Sequence, residues 1–210
     1  MKKKKIQLKV NNDDEWYTLK EDIQFFIDNA NISKDKIIWC PFDWENSNFV
    51  TQFRKNGYTV IASHIEDGKD FYQYEPEKWD ILISNPPYRN KSKLMRRMWD
   101  FGKDRPFALL MTTTCLQSKN FINWWLEYFN NPQIVLMEHN RIRFTKDHLN
   151  YDLDKVNRGM FGAIWICNNL FDKDINWWKG NDYKLWKAEN YAVDEWLKLN
   201  HKWDLNEKAN

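Results

Sequence analysis

Short, nearly continuous apolar runs alternate along the chain with stretches in which apolar residues recur every three or four positions. The runs KIIWC (36–40), YTVIASHI (58–65), WDILIS (79–84), PFALLMTT (106–113), QIVLME (133–138) and MFGAIWIC (160–167) are rich in β-branched and large apolar side chains. They predict strands. TLKEDIQFFIDNA places Ile23, Phe26, Ile27 and Ala30 on one helical face, and SNFVTQFRKNG predicts a helix ended by Gly57. KSKLMRRMWDFG predicts a helix stopped near Gly102, and NFINWWLEYFNN one halted before Pro132. Thr18 and Glu21 have the spacing of a capping box at the first helix, with Trp16 and Tyr17 leading into its N-terminus. Strands alternating with helices predict an α/β fold with a mainly parallel sheet.

Two stretches break the alternation. Residues 141–159 form a long polar connection between two strands, the kind of loop that is commonly functional or mobile. From 172 onward the chain is rich in tryptophan and charge, with a final helix expected around 193–203. No repeat or linker divides the 210 residues, so a single domain with a C-terminal extension over 172–210 is expected.

Composition narrows the class further. A hydrophobic share of 42% against 30% charged residues is that of a globular chain rather than a disordered one. The net charge of +2 gives no whole-protein argument for a polyanion, so any basic surface must be local. Cys40, Cys115 and Cys167 are odd in number and unpaired in spacing, which argues for free thiols in a reducing cytoplasm and against a disulfide frame or zinc site. The four histidines form no helical metal pair, and no metal is expected. MKKKK lacks the apolar run of a signal peptide, and no segment has the length and apolarity of a membrane span.

The chemistry concentrates at SNPPY (84–88), directly after a predicted strand. Proline cannot donate to a sheet ladder, so Pro86 and Pro87 must lie past the strand end, and they confine Asn85 to an extended backbone. The result is a stiff corner at a strand's carboxyl end, where open α/β sheets bind ligands. With Asp70-Phe71 upstream of that strand and EWYTLKED near the start, the ordered set resembles motifs IV, III and X of the S-adenosylmethionine-dependent amino-methyltransferases. The likeness covers about residues 15–90 and is greatest to small phage-type adenine methyltransferases.

That resemblance implies a class I Rossmann-like methyltransferase fold with an antiparallel last strand. It implies S-adenosylmethionine as cofactor and adenine N6 as methyl acceptor, with DNA as the expected partner. RNA or a protein glutamine as substrate, or a binding protein without turnover, are the alternatives. Asn85 and the backbone carbonyl of Pro86 would accept the two N–H groups of the target, fixed in advance by Pro86 and Pro87, and Tyr88 would stack on a flipped base. Asp70 would accept from the cofactor's adenine amino group with Phe71 beside the ring; its other reading is an ordinary turn aspartate. Tyr17 and Thr18 stand where the cofactor's methionine carboxylate is held, a role compatible with an N-cap.

Three departures from the pattern stand out. The segment after the first core strand, CPFDWENSNFV, has no glycine, so Asn46 and Asn48 are expected to stand in where the left-handed region is needed. Pro41, Phe42 and Asp43 still occupy the strand end, with Asp43 either binding the cofactor's amino group or solvated. His64 falls where an acidic residue usually takes the ribose hydroxyls, and reads equally as a structural histidine. The span from His64 to Asp70 is too short for a helix, which predicts a trimmed crossover after the second strand. Finally, specific enzymes of the family usually carry a recognition domain after the catalytic one, and none is expected in the short stretch after the last strand here. Arg141, Arg143, Lys146 and Arg158, or the KSKLMRR helix, could touch phosphates or be ordinary solvated surface. Trp177, Trp178, Trp186, Trp196 and Trp203 are expected to pack rather than to stack on bases.

Overall fold

The computed structural model describes residues 17–137, 142–145, 147, 150–152 and 162–178. The expected final helix and most of the C-terminal extension lie outside the described residues, as do Trp16, Asn140 and most of 146–161. Within them the order is β1 (Tyr17–Thr18), α1 (Lys20–Ala30), β2 (Ile37–Pro41), α2 (Asn48–Lys55), β3 (Thr59–Ser63) and β4 (Ile81–Ser84). Then follow α3 (Lys91–Asp100), β5 (Phe107–Thr112), α4 (Lys119–Tyr128), β6 (Pro132–Met137), β7 (Phe144–Thr145), β8 (Ala163–Asn168) and β9 (Ile175–Trp178).

Seven strands form one sheet in the order β3-β2-β4-β5-β8-β6-β9, and β1 pairs with β7 in a separate two-stranded ladder. β3, β2, β4 and β5 run parallel to their neighbours, whereas β8 is antiparallel to both β5 and β6. β9, not anticipated from the pattern, follows β8 and pairs parallel with β6. The sheet thus has its antiparallel strand inserted at β8.

Side chains alternate between two apolar layers, as a period of two requires. Ile38, Cys40, Ile81, Ile83, Ala108 and Leu110 face the layer that includes Ile23, Phe26, Val50 and Phe53 of α1 and α2. Trp39, Leu82, Phe107, Leu109 and Met111 face the other, with Leu94 and Met98 of α3 and Phe121, Trp124 and Trp125 of α4. Helices on both faces leave the strand ends open, the place where α/β sheets bind ligands.

The crossover from β3 to β4 is trimmed, as the short span predicted. It holds one 3₁₀ turn, Ile65–Asp67, closed by Gly68 in the left-handed region, and a turn at 70–74 in which the Asp70 carbonyl accepts from the amides of Gln73 and Tyr74. The helix-stop signals at Gly57 and Gly102 also hold, since both residues have positive φ just past α2 and α3. The capping box does not form. Thr18 is held in the β1 ladder opposite Phe144, so Leu19 becomes the N-cap of α1 and offers no side-chain acceptor. The start of α1 is instead clamped from far along the chain. Arg143 donates to Asp22 through its backbone N–H (2.7 Å) and through Nη2 (2.7 Å).

Candidate active site

The carboxyl ends of β2, β3 and β4 converge on a polar cluster whose members come from five segments. At the end of β2 the chain turns at Phe42, which has φ of +69°. A bulky residue in that region is an outlier, costing on the order of 1–3 kcal/mol, and such strain collects at functional sites. Phe42 therefore makes the left-handed turn expected of Asn46 or Asn48. Asn48 is instead the first residue of α2, buried, and its carboxamide donates to the Thr18 carbonyl across 2.8 Å. The Phe42 ring lies 4.6 Å from that of Phe71, which ties this turn to the 70–74 turn.

The strained turn delivers Asp43 into the interior. Its backbone N–H donates to the Ser63 carbonyl at the end of β3, and its side chain is 8% exposed. The Ser84 hydroxyl lies 2.8 Å from Asp43 Oδ2 and also against the Pro41 carbonyl. The Ser84 hydroxyl has one proton, so it donates to only one of these two acceptors at a time. Burial pushes the Asp43 carboxyl up to about 7, with hydrogen bonds from Ser84 and Ser47 pulling the other way.

Asn85 follows Ser84 directly, half-buried, and its Oδ1 accepts from the Tyr88 hydroxyl across 2.8 Å. Pro86 is buried and Pro87 exposed. Burial raises the Tyr88 phenol, so it stays a proton donor. On the other flank, the His64 ring stacks on Trp44 at 3.9 Å and accepts the Glu66 N–H at Nδ1. A neutral His64 therefore has its proton on Nε2 and can donate to a hydroxyl oxygen, rather than accept from one as its position suggested.

Thr18 sits at the third corner. Its Oγ1 is buried without a hydrogen-bond partner among the described residues. Such an orphan typically costs ~1–3 kcal/mol and asks for a ligand or a water. Asp70 Oδ1 accepts the Tyr72 N–H at 3.0 Å, an Asx turn that leaves the carboxylate half-exposed beside the buried Phe71. Tyr17 is half-buried in the β1 ladder.

The predicted positions Thr18, Pro41, Phe42, Asp43, His64, Phe71, Asn85 and Tyr88 thus share one end of the sheet. Ser84, Ser47 and Trp44 belong to the same cluster. Residue pattern did not single them out, because what recruits them is spatial contact with Asp43 and His64. Of the four basic loop residues, Arg141, Lys146 and Arg158 lie outside the described residues, and the Arg143 guanidinium is engaged by Asp22. Among the tail tryptophans within reach, Trp178 packs edge-on to Phe171 and within 5.5 Å of Phe26. A cavity of about 550 Å³ lies at the opposite, amino end of the strands, lined by Lys36, Asp80, Arg105 and Asn169 among others, and is separate from this cluster.

No protein-family model and no curated protein matches the chain. Among solved structures, it resembles a modification subunit assigned to a type I restriction enzyme from Vibrio vulnificus, with 8% identity and a TM-score of 0.50 over 81% of this chain and 48% of that one. It also resembles TrmN from Thermus thermophilus (14% identity, TM-score 0.41, 70% of this chain and 47% of that one). A third is a dimethyladenosine transferase from Plasmodium falciparum (12%, 0.42, 73% and 62%). The chain spans less than two thirds of the length of each. The fold is the class I Rossmann-like methyltransferase fold.

Proposed function

We propose that this chain is an S-adenosylmethionine-dependent amino-methyltransferase of the small phage type, acting on the N6 amino group of adenine in DNA. The observation that carries the reading is the polar cluster at the sheet's carboxyl end. In it Asn48 donates to the Thr18 carbonyl, Ser47 and Ser84 bond the Asp43 carboxyl, and the Tyr88 hydroxyl donates to Asn85, the residue after Ser84. The buried free thiols of all three cysteines support the reducing cytoplasm as its compartment.

The residues fit the cofactor's two ends. Thr18, with its orphaned hydroxyl, would donate to the methionine carboxylate, and Asp43 is a buried counter-charge for the ammonium. His64 Nε2 would donate to the ribose, with Asp70 and Phe71 at the adenine. When bound, the cofactor supplies an electrophilic methyl group on a sulfonium.

The protein's own work lies on the acceptor side. An exocyclic amino group is a poor nucleophile, because its lone pair is delocalised into the ring. Asn85 Oδ1 has two lone pairs, so it can keep the Tyr88 hydroxyl and still accept one N–H of the target. The Pro86 carbonyl would accept the other. Together they draw the nitrogen toward tetrahedral geometry and stabilise the positive charge that develops on it. The two prolines hold this corner rigid, so little ordering remains for the transition state.

Labelled-methyl transfer tests the reading on DNA, RNA and protein in one preparation, with digestion of the product to nucleosides. N6-methyladenine in the DNA arm is expected. Label confined to RNA or protein would move the substrate assignment. Absence of both transfer and cofactor binding at millimolar S-adenosylmethionine would overturn it.

A further inference from the structure

The outer surface of α3 begins three residues after Tyr88 and turns away from the core. Leu94 and Met98 are buried against the sheet, while Ser92, Lys93, Arg96 and Trp99 face outward. From Asn85 to Trp99 the sequence contains five basic residues and no acidic one. Arg97 is spent on structure: it donates to the carbonyls of Phe71 and Tyr74 and lies 3.6 Å from Glu75. Lys91, Lys93 and Arg96 have no ion-pair partner among the described residues. Lys93 lies over the Tyr72 ring at 3.7 Å, next to the Phe42 turn of the site. Cations in the first turn oppose the helix dipole and cost α3 some stability, which the Lys93–Tyr72 contact offsets only in part.

An aromatic platform ends the same stripe. Trp99 is 52% exposed, yet its ring stacks on Tyr128 at 3.8 Å with 23° between planes. The Tyr128 hydroxyl donates to the Trp99 carbonyl across 2.9 Å, which fixes the pair. A wide, rigid aromatic face is thus held in solvent, one helical step beyond Lys93 and Arg96. From Lys91 to Trp99 the helix rises roughly 12 Å. That is on the order of three nucleotides at the stacked spacing of a single strand.

We infer that the outer face of α3 is a binding track for a single-stranded polynucleotide, with Lys93 and Arg96 on phosphates and the Trp99–Tyr128 stack under a base. The charge fits a polyanion, and the platform selects the strand form. An aromatic face can take a base only when that base is unstacked from its neighbours, which a closed duplex does not offer. Cations interleaved with aromatics give sequence-tolerant binding, and α3 would lead the strand to Asn85. This inference rests on the Asn85-centred reading for the strand's destination, but binding alone tests it.

The test is fluorescence anisotropy of the full chain with a labelled twelve-nucleotide DNA strand and the same sequence as a duplex, across a salt series. The wild type is expected to prefer the strand by tenfold or more. Lys93→Gln/Arg96→Gln is expected to weaken binding and to flatten the slope of log affinity against log salt by about 1.4, two contacts at ~0.7 each. Trp99→Ala should weaken binding about five- to hundredfold with the slope unchanged, and Trp99→Phe should retain most of it. Equal affinity for strand and duplex, or wild-type affinity in the double variant, would overturn the track. Lost methylation with intact strand binding in a wild-type preparation would count against the catalytic reading and leave the track standing.

Discussion

The Tyr88 hydroxyl donates to Asn85 Oδ1 across 2.8 Å, so phenol and carboxamide are fixed against each other before any acceptor arrives. The bond orients the oxygen of Asn85 and occupies one of its two lone pairs. Asn85→Ala should lower methyl transfer on the order of a hundred- to thousandfold, the ~3–4 kcal/mol typical of one lost preorganised acceptor, with circular dichroism and cofactor affinity nearly unchanged. Tyr88→Phe keeps the ring but releases the carboxamide, and should lower kcat more than it raises KM. Tyr88→Ala should also weaken capture of the base by ~1–3 kcal/mol. Full turnover in Asn85→Ala would sink the mechanism.

Asp43 ties stability and cofactor affinity to pH in opposite directions. Its folded-state pKa of about 7 is raised above the ordinary 3.8. The favourable contribution of its neutral form is complete below about pH 4 and is lost as pH rises toward 7. Asp43→Asn keeps a neutral group beside Ser84, so the variant should melt higher than the parent at pH 8. It should also bind S-adenosylmethionine about ten- to a hundredfold more weakly, as expected for losing a charged hydrogen-bond partner. In the parent, cofactor affinity should strengthen from pH 6 to 7.5, and in the variant this dependence on the carboxyl should vanish. Calorimetric titration at both pH values measures it.

Arg143 is expected to act on the fold first. Asp22 is 6% exposed, and Arg143→Gln leaves its carboxylate without a counter-charge. Allowing for the partial exposure of the arginine, the loss should be about 1–3 kcal/mol. That corresponds to a fall in Tm of roughly 2–12 °C for a domain of this size. Double substitution with Asp22→Asn should recover part of it. A Tm unchanged in Arg143→Gln would mean the clamp contributes nothing.

At Phe42 the backbone and the side chain pull apart. Phe42→Ala loses the contact with Phe71 and keeps the left-handed strain, whereas Phe42→Gly loses the contact and relieves the strain. Thermal melts should place Gly above Ala by about 1 kcal/mol or more. Equal midpoints would show that the turn at φ of +69° carries no cost.

The main elements were legible because each depends on local pattern. Alternation in WDILIS and FALLMT fixes which residues face which layer, and Gly57 and Gly102 end their helices by conformation alone. The corner at Asn85 was legible because two prolines restrict the backbone whatever surrounds them. What escaped was set by distant partners. The capping box at Thr18 yielded to strand pairing with Phe144. Arg143 looked like a surface cation until Asp22, 121 residues away in sequence, came into contact with it. Ser84 read only as the last residue of a strand, and its role appears only once β4 lies beside β2.

The insertion of β8 between β5 and β6 also bears on how the chain can be made. Among the described residues β6 pairs with β8 and β9 alone, so when residues 132–137 leave the ribosome neither native partner has yet been made. The parallel half, β3-β2-β4-β5, can assemble as it emerges, and with it the corner that holds Asp43 and Asn85. β6 must wait about thirty residues, a matter of seconds at ~5–20 residues per second, with its apolar residues uncovered. Synthesis slowed just after β6 would therefore favour aggregation, whereas a pause after β9 would be harmless.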